Sequence, residues 1–136
     1  MSCDIRDVYH KDMMTSTWFV LAALFAGIGV MLGAFGAHGL RDKLSVEMLV
    51  VFETGVRYQL LHAITLLMVS WASSRWPVPG VNWAGWFFVA GILIFSGSLY
   101  VLAISGIRWL GAVTPLGGLC LILGWGILAV SVFRAS

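Results

Sequence analysis

Charge is what this chain has least of. Eight Lys and Arg and six Asp and Glu occur in 136 residues, 10% of the total, where a soluble domain carries about 25%. Hydrophobic residues make up 60% and the mean hydropathy is +0.97, so the polar side chains are too few to cover a core. That excludes a soluble globular domain, and intrinsic disorder with it, since disorder needs low hydrophobicity. The formal net charge of +2 comes with no dense basic cluster, which argues against a nucleic-acid partner. Cysteine is equally scarce. Cys3 lies in a polar opening stretch and Cys120 deep in an apolar run, so a disulfide-stapled module is excluded and both read as free thiols. Three prolines rule out a collagen-like chain. What remains is an integral membrane protein whose first partner is the lipid bilayer.

The few charges act as fence posts. None falls between Asp12 and Arg41, Arg57 and Arg75, Arg75 and Arg108, or Arg108 and Arg134. A helix needs about 20 mostly apolar residues to cross the hydrocarbon core, and each gap fits one crossing. The spacing predicts spans near Ser16–Ala37, Val56–Ser73, Asn82–Ile104 and Leu110–Phe133. Helices satisfy their backbone groups internally, so the expected fold is an all-α membrane protein: four antiparallel transmembrane helices in one bundle, covering residues 15–136. Residues 1–14 read as a polar tail, either disordered or upstream of a natural start at Met14. The first span is too long for a signal peptide and lacks a clean cleavage site.

The connections add detail. Leu44, Met48, Val51 and Phe52 share one helical face between Leu40 and Thr54, which predicts a short interfacial helix between helices 1 and 2. Pro77, Pro79 and Gly80 mark a breaker loop across Ser74–Val81. The turn Ser105–Arg108 is so short that the last two spans must be antiparallel neighbours. Thr114 is expected as N-cap of the last helix, with Pro115 in its first turn. In this order Trp18, Trp71, Trp76, Trp83 and Trp86 gather at one interface, as an aromatic belt should. The count of Lys and Arg on the two sides is tied, so charge alone does not orient the bundle.

Two groups of residues stand out. Gly29, Gly33 and Gly36, extended by Ala22, Ala26 and Ala37, form a small-residue stripe on the first span. Such a stripe lets helices approach closely in lipid, either within one chain or between copies. The second group is polar: His38, Glu53, Arg57, Tyr58, Gln59, His62, Ser96, Ser98, Tyr100 and Thr114 fall in the half opposite the tryptophans. Polar groups at membrane depth are expensive, so they face inward and often serve function. Tyr58, Gln59 and His62 share a helical face, and Glu53–Arg57 is an i, i+4 pair in the favourable order. His62 reads as a buried residue bonding across helices, His38 as the end of its helix. A sharper alternative has the two histidines facing each other across the first hairpin, to bind a metal or haem or move a proton. They lack a carboxylate at ligand spacing, so no metal site and no cofactor is expected. No nucleophile–base arrangement, phosphate loop or H-E-x-x-H occurs, and no catalytic residue is assigned.

Three stretches taken together carry a resemblance: Gly33–Leu40 (GAFGAHGL), Phe52–Ala63 (FETGVRYQLLHA), and Phe95–Tyr100 (FSGSLY) with Thr114–Gly118 (TPLGG). Their order and spacing are similar to the bacterial YgdD family, also called the transmembrane-protein-256-like family, from about Met14 onward. The resemblance implies a four-span protein of the bacterial inner membrane with both termini in the cytoplasm, and it carries over no activity. Residues 1–13 depart from the family pattern. The reading that results is a non-enzymatic membrane protein whose polar cluster packs the bundle and binds lipid or a partner. The rivals are an oligomeric transporter or channel, an accessory subunit of a larger complex, and a histidine-based redox or metal accessory protein.

Overall fold

The computed structural model describes the backbone of residues 5–136 and the side chains from Met13 onward. Among the described residues every regular element is helical. The α-helices are α1 (Ile5–Phe35), α2 (Val46–Arg75), α3 (Pro79–Gly91), α4 (Gly97–Ser105) and α5 (Thr114–Ala135). A π-helical turn, Gly36–Leu40, extends α1, and a second, Ile92–Ser96, joins α3 and α4 into one rod. Among the described residues three segments are long and apolar enough to cross a membrane: Met13–Leu40, Pro79–Ser105 and Arg108–Ala135, of 28, 27 and 28 residues. Helix α2 has 30 residues, about 45 Å of rise, but carries more polar groups.

Contacts give the antiparallel order. Ser70 of α2 meets Thr15 of α1, Gln59 meets Phe25, and Phe52 covers Gly36. Along the second pair, Phe88 meets Gly124, Phe95 meets Gly117 and Ser98 meets Thr114. Helix α2 is the hub, packed on α1 on one side and on α3 and α4 on the other, while α5 rests on α3. One apolar core gathers Trp18, Leu66, Val69, Val81 and Phe88 at the tryptophan end. A smaller one gathers Leu40, Phe52, Val56 and Ala103 at the other.

The structure departs from the sequence reading at several points. The separate interfacial helix does not form: Ser45 accepts a hydrogen bond from the Met48 amide and caps a helix unbroken from Val46 to Arg75. Its expected apolar face continues the inner face of α2, because Leu44, Met48 and Val51 pack onto the Phe52 core. Trp18 is no belt residue. It is fully buried, donates to the Asn82 Oδ1 at 2.9 Å, and fills the space above Gly85. The other expected belt tryptophans are exposed or half-buried. Thr114 opens α5 but does not cap it; the preceding Val113 stands at the cap, Pro115 occupies the first turn, and the Thr114 hydroxyl turns to Ser98. Gly106, at φ 72°, ends α4 in the left-handed conformation that suits glycine there. Helix α1 already runs from Ile5, whereas most of the side chains of the expected tail lie outside the described residues.

Candidate functional site

The inner face of α2 carries a seam of polar side chains. Gln59 is 3% exposed and ties three helices together. Its Nε2 donates to the Phe25 carbonyl of α1 at 2.8 Å, and its Oε1 accepts from the Tyr100 hydroxyl of α4 at 2.8 Å. The Tyr100 ring reaches that position across Gly55, where a Cβ would sit 2.8 Å from it. Phe52 supports the same ring at 4.9 Å between centroids. Both ends of the Gln59 amide are therefore engaged, as a buried amide requires.

One turn on, His62 is 4% exposed. Its Nδ1 lies 2.8 Å from the Tyr58 carbonyl, and Trp125 Nε1 donates to its Nε2 at 3.4 Å. A carbonyl can only accept, so Nδ1 carries a hydrogen and Nε2 receives the indole N–H. Aromatic rings close around the imidazole: Tyr58 at 6.0 Å, Phe88 at 5.9 Å and Trp125 at 6.4 Å between centroids. Between α4 and α5 the Ser98 and Thr114 hydroxyls bond at 2.8 Å, and Ser98 also donates to the Phe95 carbonyl.

Sequence reasoning singles out more residues than the structure brings together. Gln59, His62, Ser98, Tyr100 and Thr114 lie in the bundle, with Tyr58 at its edge lending a carbonyl and a ring. His38, Glu53 and Arg57 do not join them. Glu53 and Arg57 are exposed, and His38 sits at the far end of the first helix, also exposed. His38 does not face His62. Gln59 is level with Phe25, thirteen residues before His38, and His62 lies beyond Gln59 in the other direction. The two histidines are thus separated by roughly 24 Å along the bundle. Among the described residues no cluster of three or more His, Cys, Asp or Glu could hold a metal ion. Gly29, Gly33 and Gly36 all face α2 of the same chain, under Leu60, Val56 and Phe52.

Sequence reasoning misses that the seam continues to the tryptophan end. Thr65, Ser70 and Ser73 are all buried on α2. Ser70 donates to the Thr15 carbonyl at 2.8 Å, the Ser73 and Thr15 hydroxyls lie 3.1 Å apart, and Thr65 donates to its own helix at Leu61. A signal is available: Gln59, His62 and Thr65, then Ser70 and Ser73, follow three-residue steps, while Leu61, Ile64, Leu67, Met68 and Trp71 lie outward. Ser96, in the second π-helical turn, is 1% exposed, and its Oγ has no partner among the described residues. Chemically the seam is a set of hydrogen-bonded fasteners.

Known proteins match the chain over the same elements. Residues 32–118, which span the end of the glycine stripe, α2 and the rod of α3 and α4, match a family described as "Protein of unknown function (DUF423)". A UPF0382 membrane protein of Staphylococcus haemolyticus is 46% identical over 117 residues, covering 86% of this chain and 95% of the relative. The UPF0382 membrane protein YwdK of Bacillus subtilis is 42% identical over 118 residues, 86% of this chain and 96% of its own length. No solved structure matches. At this identity and coverage, the chain belongs to the DUF423/UPF0382 family of bacterial membrane proteins, whose activity is uncharacterised.

Proposed function

We propose that the protein is a four-span module of the bacterial inner membrane, both termini in the cytoplasm, and that its polar seam fastens the bundle and carries out no reaction. Helix α2 supplies the fourth crossing. From Gln59 to Ser73 its buried polar groups turn inward, and its outward side there is made of Leu61, Ile64, Leu67, Met68 and Trp71, all exposed. Its first turns, Val46–Thr54, take the interfacial position. The observation that carries this reading is that the Gln59 amide and both His62 nitrogens find their partners within the chain. Lipid supplies no hydrophobic drive between helices, so such bonds, at about 0.6–2 kcal/mol each, specify the packing. The working surfaces are then the outward faces, through which the bundle meets lipid and a second copy or a larger membrane complex.

Thr65, Ser70 and Ser73 favour one rival, a transporter or channel built from several copies, because they extend the polar groups of α2 to its tryptophan end. Yet these hydroxyls are already bonded to carbonyls inside the chain. Reporters fused after Lys43, Pro77 and Ile107 test the topology. The expected pattern is outside, cytoplasm, outside, and two successive sites on one side would overturn the four crossings. Gln59→Leu tests the fastening, since it leaves the Tyr100 hydroxyl without its acceptor. It should cost about 1–2 kcal/mol, read as a lower unfolding midpoint in detergent. An unchanged midpoint would sink the role given to the seam.

A further inference from the structure

At the tryptophan end a groove of about 280 Å³ lies between α2 and α5. Met68, Trp71 and Trp76 wall one side, and Trp125, Leu128 and Val132 the other. Its lining is almost entirely carbon. The space would hold about nine waters at about 30 Å³ each, but water needs polar partners, and an apolar cavity takes an apolar ligand instead. The walls are held from behind. Trp125 donates its N–H to His62 and stacks edge-on against Phe88, and Trp71 and Trp76 brace each other at 5.3 Å.

One arginine stands at the rim of the groove. The Arg75 guanidinium sits 5.5 Å from the centre of the Trp76 ring, so the cation lies against a wall of the groove. Among the described side chains the carboxylates Asp42, Glu47 and Glu53 belong to the opposite end, while Asp7 and Asp12 stand on the first turns of α1, at this end. The start of α3, where no side chain caps the helix, lies beside the same rim, with Gly80 against Ser131. An arginine fork matches a phosphate, and an uncapped helix start adds a positive field.

We propose that this groove binds one acyl chain of an anionic phospholipid, with Arg75 holding the headgroup phosphate. A basic residue near a membrane surface contributes about five-fold in affinity for anionic lipid. The test is native mass spectrometry of the full chain in mild detergent, with added phosphatidylglycerol or phosphatidylcholine of matched chains. Wild type should retain phosphatidylglycerol about five-fold better. Arg75→Gln should bring the two lipids to parity, and Arg108→Gln, at the far end, should leave the preference intact. Ala129→Trp, which fills the groove, should abolish retention of both lipids. Equal retention by wild type, a preference that survives Arg75→Gln, or one lost equally in Arg108→Gln would each overturn the proposal. Arg75 is exposed, so the two arginine variants decide the matter even where the groove-filling variant fails to fold.

Discussion

The bundle contains two close helix pairs, and they achieve closeness differently. Between α1 and α2, one helix supplies the small residues and the other the large ones: Gly29, Gly33 and Gly36 lie under Leu60, Val56 and Phe52. Between the α3–α4 rod and α5 the roles alternate. Gly91 receives Leu121, Gly124 receives Phe88, and Gly117 lies against Phe95. In the first pair the groups facing the glycines are side chains, able to turn aside. In the second, Gly117 meets the Phe95 backbone itself. The first interface has give in it, and the second does not.

Substitution at these glycines breaks or sharpens that contrast. Gly117→Ala should have the largest effect, because its Cβ would collide with a main chain that cannot rotate away. Overpacking of this kind costs about 1–3 kcal/mol, occasionally more, and the expectation here is the upper end, read by thermal unfolding in detergent. A loss no greater than that of Gly29→Ala, whose Cβ meets the flexible tip of Leu60, would erase the distinction. The Gln59→Leu loss should fall between the two classes, since it removes a bond without adding volume. Gly27→Ala should do least. It has open space around it, and replacing a helical glycine stabilises by up to about 1 kcal/mol. A clear destabilisation there, with a change of oligomeric state by light scattering, would mean that a second copy covers the outer face of α1.

The same contrast explains what can be read in advance. A one-sided interface leaves a regular trace in one helix, so the stripe Gly29, Gly33, Gly36 is visible as written. A reciprocal interface shows only when two distant segments are set in register, and neither Gly91 nor Gly117 advertises its partner. The long apolar segments are legible because charge is absent over whole crossings. Gln59 and His62 are legible as neighbours on one face, but their partners Phe25 and Trp125 are 34 and 63 residues away. Trp18 misleads for a related reason. A tryptophan near a span end has good cause to sit at an interface, and what buries this one is the gap at Gly85 in another helix. The stretch before Thr54 reads as a helix of its own because the charges at Glu53 and Arg57 set it apart from the uncharged run that follows. Those charges mark no break: α2 runs on through them, and Gly55 between them admits the Tyr100 ring.

The wider turn at Ile92–Ser96 has a geometric consequence for everything after it. An extra residue in one winding shifts the angular phase of the following segment by about 100°. Phe88 and Tyr100 are twelve residues apart, about 120° in ordinary winding, and the extra residue brings them to within about 20° of one bearing; both rings reach α2, Phe88 at His62 and Tyr100 at Gln59. One continuous rod therefore keeps both rings on the side of α2, without a proline bend or a break in the chain. With ordinary winding throughout, the phenol would aim about a third of a revolution away, and the amide at position 59 would face its neighbours with one hand empty.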